Sequence, residues 1–173
     1  AFVNTKINAG LTIAKTVSSA VAADKNDTFK FVITLPYKTH FSGTYDGVVF
    51  TNGVSAEISL KDGQTKTING LPNNTTYKVT EAVNNKYTTS WTGTTGTSGN
   101  TNEATGTTRE SGETVTFTNT RKTGGLTVAK TVTSPLTADH SKSFAFKVTL
   151  SDNTISGDFG GMTFNGGVAE FNL

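Results

Sequence analysis

The chain repeats itself at long range. The segment 2–17, FVNTKINAGLTIAKTV, realigns with 117–132, FTNTRKTGGLTVAKTV, at a constant offset of 115 residues (117 − 2). A fixed period of this kind is typical of an array of modules, and this one is too long for a single solenoid turn. Each unit is therefore predicted to be a whole domain.

The period divides the chain into one complete repeat and parts of two others. We expect both ends to continue into a longer polypeptide, with short junctions between closely abutting domains. The expected parts are 1–9, the last strand of a preceding repeat plus linker; 10–121, the complete repeat; 122–125, a linker; and 126–173, the N-terminal half of the next repeat.

The composition favours an all-β fold. Only 16% of the residues are charged, 18 are glycine, and Thr, Val, Phe and Tyr, which suit a pleated half-buried surface, recur throughout. Short apolar alternations separated by turns such as Asn52-Gly53 and Asp62-Gly63 predict a β-sandwich. Strands are predicted at about 11–17, 28–35, 46–51, 54–60, 64–69, 76–83, 87–92 and 113–119. The polar, low-complexity segment 92–112 is predicted to be a long flexible loop.

Several classes of function are disfavoured. Without cysteine the chain has no disulfide or thiolate metal site, and two histidines, His40 and His140, offer little for a zinc site or a catalytic triad. We expect no cofactor and no metal. The net charge of +2 comes without a basic run, so nucleic acid is not expected as a partner. No apolar stretch approaches the length of a membrane span.

Three strands carry a reactive side chain on a face that should be buried. Counting by two places Lys15 with Leu11, Ile13 and Val17, Glu81 between Val79 and Val83, and Asn119 at the end of the face that contains Val115 and Phe117. A register slip of one residue would turn all three outward, but it would also expose their apolar neighbours. Taken singly, each has an ordinary interpretation, as an edge lysine, a rim carboxylate and a turn residue. Together they predict a reaction.

An amine, a carboxylic acid and a carboxamide in one core can form an amide bond. Burial favours the neutral amine of Lys15, which is a nucleophile, and the protonated form of Glu81, which is an acid. Glu81 would polarise the carbonyl of Asn119 and pass a proton to the departing ammonia. The predicted product is a bond between the Lys15 amine and the side-chain carbonyl of Asn119.

The segment 60–83, LKDGQTKTINGLPNNTTYKVTEAV, resembles the core of the Cna B-type (collagen-adhesin B-like) domains of Gram-positive surface proteins. The lysine in LTIAKTV and the asparagine that closes VTFTNT fit the same pattern, so the resemblance covers 10–121. It implies an immunoglobulin-like β-sandwich, with Lys15 and Asn119 as the bonded pair and Glu81 as the catalytic acid. It also implies a pilin or adhesin stalk.

Two residues repeat the pattern without a partner in this chain. Lys130 corresponds to Lys15 and Asn4 to Asn119, but the glutamate of each incomplete repeat is missing, so we expect no bond at either.

The sequence therefore predicts a stalk repeat of a cell-surface adhesin or pilus-like fibre, and not a turnover enzyme. We expect the protein outside the cell, on the bacterial cell surface. We expect regions beyond this chain to anchor it to the cell wall. Its expected partners are neighbouring repeats of the same polypeptide, and end-to-end self-association stays open. The main alternative is a module that binds a host protein or glycan through 92–112 and Trp91, and a third is a hydrolase accessory domain, a spacer without the bond.

Overall fold

The computed structural model describes residues 2–3 and 5–173, which fall into two compact units. The first unit runs to Ser19 and resumes over Asp24–Lys122, and the second comprises Ala20–Ala23 and Thr123–Leu173. A short 3-10 helix lies at Ala22–Asn26. No helix in the described part of the chain has the length and hydropathy needed to cross a membrane.

The first unit is an all-β sandwich, as the sequence predicts. The strands are β1 (Asn8–Ser18), β2 (Phe29–Thr34), β3 (Gly43–Tyr45), β4 (Val48–Thr51), β5 (Val54–Ser55), β6 (Ile58–Leu60), β7 (Thr65–Pro72), β8 (Thr76–Glu81), β9 (Tyr87–Gly93), β10 (Ser98–Gly99), β11 (Glu103–Thr107) and β12 (Glu113–Arg121). One sheet has the strand order β10-β9-β12-β1-β7, and the other has the order β11-β8-β2-β5-β4-β3, with β6 also paired to β2.

The core lies between the inward faces of the two sheets. Alternation along β1, β2, β8 and β12 sends every second side chain into it, which is the period that a sheet imposes. Aromatic side chains fill its centre: Phe31 packs edge-on against Phe117 with ring centroids 5.2 Å apart, and Phe29 packs against Tyr87 at 5.5 Å.

The first and last strands of the sandwich are neighbours. β1 pairs with β12 in parallel, from Leu11 opposite Glu113 to Ser18 opposite Thr120, and pairs with β7 in an antiparallel ladder on its other side. Two strands near opposite ends of the domain sequence thus lie side by side in the middle of one sheet.

The prediction of a long flexible loop at 92–112 is wrong. Residues 103–107 form β11, which pairs antiparallel with β8, and Ala104 is fully buried opposite Val79. The alternating residues of this strand are alanine, threonine and glycine. They are too weakly apolar for the alternation to predict a strand. Gly106 is required because a Cβ at this position would collide with the hydroxyl of Tyr77.

Other predicted strand residues also lie elsewhere. β8 ends at Glu81, so Val83 is 74% exposed and not part of an inward face. The described residues near the start of the chain, including Phe2, Val3 and Thr5, are not in a strand, and neither is the segment 126–132.

The second unit contains a 3-10 helix (Thr137–Ser141) and two strand pairs. Strand β13 pairs with β16 and β14 pairs with β15, both antiparallel. Their bounds are β13 (Ala145–Thr149), β14 (Gly157–Phe159), β15 (Met162–Phe164) and β16 (Val168–Asn172). The division of the chain into repeats remains a prediction from the sequence.

Candidate cross-linking site

Lys15 projects from β1 into the core of the first unit. It is 1% exposed, and its Nζ lies 4.4 Å from the centroid of the Phe29 ring. The Nζ donates hydrogen bonds to the carbonyl oxygens of Thr16, at 2.8 Å, and Phe117, at 3.3 Å. The inward position predicted from the alternation of β1 is confirmed.

Glu81 enters the same space from the opposite sheet. It is the last residue of β8, it is fully buried, and it lies opposite Phe31 of β2. Asn102 holds its backbone from both sides, because Glu81 N donates to the Asn102 carbonyl at 2.8 Å and Asn102 Nδ2 donates to the Glu81 carbonyl at 2.9 Å. These two bonds fix the end of the strand, so that the side chain of its final residue points inward.

Asn119 completes the group from β12. It is fully buried, and its Nδ2 donates a hydrogen bond of 2.5 Å to Oε1 of Glu81. The other carboxylate oxygen, Oε2, lies 4.0 Å from the Nζ of Lys15. Glu81 therefore stands between the two residues, with one oxygen toward each.

The surroundings shift the pKa values of the amine and of the acid. Burial lowers the pKa of Lys15 to about 8, although the charges of Glu81 and Asp62 act in the opposite direction. Burial raises the pKa of Glu81, against the opposing effects of the Lys15 charge and the Asn119 hydrogen bond. Both shifts favour the neutral forms, so the apolar environment moves this pair away from an ion pair and toward a free amine beside a carboxylic acid.

Two polar atoms of the group have no hydrogen-bond partner. Oε2 of Glu81 and Oδ1 of Asn119 are both buried and unpaired. A buried oxygen without a hydrogen bond normally costs about 1–3 kcal/mol, so the presence of two in one group needs a physical explanation. Oδ1 belongs to the carbonyl that an attacking amine would convert to an oxyanion, and Oε2 is the carboxyl atom nearest to that amine.

The arrangement combines the elements of an acyl transfer. It offers a nucleophile of lowered pKa, an acid of raised pKa and an amide, all three buried in the core, with the Phe29 ring against the amine. Among the described residues, no group of three or more His, Asp or Glu side chains is placed to hold a metal ion.

The repeat equivalents are in different situations. Lys130 is exposed, and its Nζ donates to the Thr131 carbonyl at 2.7 Å and lies 4.5 Å from the centroid of the Phe144 ring. Asn4 lies outside the described residues. Trp91, the candidate binding platform, is 8% exposed and faces Phe117 across the β9–β12 pair, so its ring is part of the core and is not available to a ligand.

The structure also contains a buried polar cluster near the end of β12 that the sequence did not predict. Asp24 is fully buried and pairs with Lys86 at 2.6 Å and with Arg121 at 2.9 Å. Desolvation alone would raise the pKa of Asp24, but hydrogen bonds from Lys86, Ser19 and Arg121 outweigh it and lower that pKa. The only signal in the sequence was that Asp139 follows Asp24 at the same offset of 115 residues (139 − 24).

Known proteins of related sequence and structure are pilus components and adhesins. The pilus tip adhesin Cpa of Streptococcus pyogenes is 34% identical over 99 residues, which are 54% of this chain and 14% of that protein. A solved structure of the pilus-presented adhesin Cpa matches 66% of this chain and 28% of its own, with 27% identity and a TM-score of 0.56. This chain thus spans a minor part of the length of these relatives.

A second solved structure shares the fold alone. It is a bacterial adhesin from Mobiluncus mulieris containing intramolecular disulfide, isopeptide and ester bond cross-links, and it covers 66% of this chain and 42% of its own, with 24% identity and a TM-score of 0.51. The family described as "Domain of unknown function (DUF7601)" matches residues 9–121, about the range of the complete repeat. The chain belongs to this family, and residues 9–121 form a Cna B-like β-sandwich domain.

Proposed function

We propose that the complete repeat is a load-bearing shaft domain of a bacterial surface adhesin or pilus, stabilised by an amide bond that it forms within itself, between Lys15 and Asn119. The observation that carries this proposal is the position of Glu81, with Oε1 bonded to the amide of Asn119 and Oε2 4.0 Å from the amine of Lys15. Likeness to the pilus adhesin Cpa, at 34% sequence identity over 99 residues, supports the same assignment.

The reaction is a transamidation. The neutral Nζ of Lys15 attacks Cγ of Asn119 while the carboxylic acid of Glu81 stabilises the charge that develops on Oδ1. The C–Nδ2 bond then breaks, Glu81 delivers a proton to the leaving nitrogen, and it recovers one from the attacking amine. One C–N bond forms and one breaks, and one ammonia is released.

The fold supplies the rate enhancement that an unactivated amide requires. Amides are poor electrophiles, and intramolecular reactions gain most when the reacting groups are held together in a fixed geometry. Here β1 and β12 are held as neighbours by their ladder, and Glu81 is held over them by the opposite sheet. Because each domain would react once on itself, the domain is not a turnover enzyme.

In this proposal the bond serves mechanical strength outside the cell. Tension along the chain enters the repeat through β1 and leaves through β12, and the bond joins these two strands directly, so residues 16–118 carry no load. The expected partners are neighbouring repeats, and the expected location is the bacterial cell surface. Lys130 and Asn4 would each require residues outside this chain.

Intact mass spectrometry of the purified chain tests the proposal. Wild type is expected to weigh less than its sequence by one ammonia, and Lys15→Ala and Glu81→Ala are expected to restore the full mass. Glu103→Gln, an exposed glutamate on β11, is the matched control and should keep the loss. A wild-type chain at its full sequence mass overturns the proposal.

A further inference from the structure

The backbone of Lys15 is held by a turn on the far side of β1 from Asn119. Residues 61–64 connect β6 in one sheet to β7 in the other, where the regular β1–β7 ladder has ended at Ala14 opposite Thr65. Lys15 N donates to the Gln64 carbonyl and Gly63 N donates to the Lys15 carbonyl, both at 2.9 Å. The turn thus extends the ladder to the residue that carries the amine.

Asp62, in the same turn, extends this hold by a side chain. Its Oδ1 accepts a hydrogen bond of 2.6 Å from the backbone N–H of Val17, so the carboxylate replaces the carbonyl that a longer β7 would provide. Its Oδ2 lies 3.1 Å from the Nζ of Lys25, and that same Nζ also donates to the Val17 carbonyl. Both backbone polar groups of Val17 are therefore held through the Asp62–Lys25 pair.

The position of Val17 determines the position of Asn119 relative to Lys15. It lies directly opposite Asn119 in the parallel ladder, two residues beyond Lys15 on β1. A shift of β1 at Val17 moves the amine and the amide relative to each other, and reactions of this kind are sensitive to displacements of about 1 Å.

We propose that Asp62 is a positioning residue for the cross-linking reaction, holding residues 15–17 of β1 so that the Lys15 amine faces the Asn119 amide. The inference rests on the proposed function, because it concerns the rate of the same bond. Asp62 does not touch the reacting atoms and acts through the backbone of Val17.

The test is the rate of bond formation in the full chain. Freshly translated chain is quenched in guanidinium chloride before it reacts, refolded by dilution at a series of pH values, and followed over time by intact mass. Trp91 fluorescence reports folding in the same samples. Asp62→Ala is expected to slow ammonia loss by roughly 10-fold or more, within the 10²-fold that a misplacement of about 1 Å can cost.

Asp46→Ala is the matched control. Asp46 also accepts a hydrogen bond from a backbone N–H, that of Asn69 in β7, at 2.6 Å, but it lies toward the other end of that strand. It should lose a comparable contact without changing the rate of cross-linking. If Asp62→Ala is no slower than Asp46→Ala while wild type reacts normally, the positioning role is overturned and the cross-link proposal survives.

Asp62→Asn separates positioning from general stability. Its side-chain oxygen can still accept the bond from Val17, so most of the rate should return, and failure to return contradicts a positioning role. The negative charge of Asp62 raises the pKa of Lys15, so its removal should also move the pH profile of the reaction to lower pH. A profile that does not move would show that Asp62 is not coupled to the amine. A wild-type chain that never loses ammonia would refute the proposed function itself.

Discussion

Asn119 lies opposite Val17 in the parallel ladder of β1 and β12, two residues further along than Lys15, which lies opposite Phe117. Parallel strands that are pulled at opposite ends slide along each other, so tension loads all ladder hydrogen bonds at once. A covalent link between Lys15 and Asn119 would stop this sliding. The geometry therefore connects the chemistry of the site with the mechanical role that we propose.

The bond should contribute strongly to equilibrium stability. Glu81→Gln preserves the shape of the side chain but removes the acid, so the chain should fold without cross-linking. Closing a loop of about 100 residues is worth about 4–5 kcal/mol in the chain-entropy model. We expect the free energy of unfolding in guanidinium chloride to fall by that amount, with Glu103→Gln unchanged. A Glu81→Gln variant that retains wild-type stability would contradict a covalent link.

Bond formation should show a bell-shaped dependence on pH. The reactive state holds one proton on the pair, as a neutral Lys15 amine and a protonated Glu81. At low pH both groups are protonated and the ammonium cannot attack. Above about pH 8, the pKa to which burial lowers Lys15, the amine is already neutral. A further rise in pH then only removes the proton from Glu81, so the rate should fall. Refolding kinetics followed by mass test this, and a rate that keeps rising beyond pH 10 would exclude Glu81 as the acid.

The Asp24 cluster should stabilise the end of β12. Asp24→Ala removes the buried carboxylate that pairs with both Lys86 and Arg121, so it should cost about 3 kcal/mol in the uncross-linked Glu81→Gln background. Glu57→Ala, which breaks an exposed pair with Lys30, should cost less than about 1 kcal/mol. Equal losses in denaturant titrations would contradict the special role of Asp24.

Asp24 should also make the stability of the Glu81→Gln variant depend on pH. Its pKa is lowered in the folded state, so its contribution is present above the pKa of an unfolded aspartate and is lost as the pH falls through the folded value. Stability should therefore fall on acidification, and less steeply in Asp24→Asn. The comparison of the two urea midpoints against pH is the measurement.

The sheet period made the reactive residues predictable from the sequence. Lys15 and Asn119 occupy positions that alternation assigns to the core, and both are buried. Glu81 was found by the same count, although its predicted neighbour Val83 is exposed because β8 ends one residue after Thr80, at Glu81. The contacts that hold these residues, through Asn102 and Asp62, join distant parts of the chain and leave no local pattern.

Strand β11 could not be predicted, because its inward positions, Ala104 and Gly106, are small. Gly106 is there to accommodate Tyr77, and this requirement is tertiary. Gly106→Ala should therefore destabilise the domain by about 1–3 kcal/mol through overpacking. Thr105→Ala, at an exposed position of the same strand, should change stability little. Thermal denaturation compares the two, and equal melting temperatures would mean that β11 does not pack as described.

Peptide mapping detects the bond between Lys15 and Asn119 itself. Trypsin cleaves after lysine and arginine, but a Lys15 in amide linkage is no longer a cleavage site. We expect a branched product in which peptide 7–25 is joined to peptide 110–121, lighter than the two together by one ammonia, with fragmentation placing the branch at Lys15 and Asn119. Recovery of free peptides 7–15 and 110–121 at their full masses would contradict it.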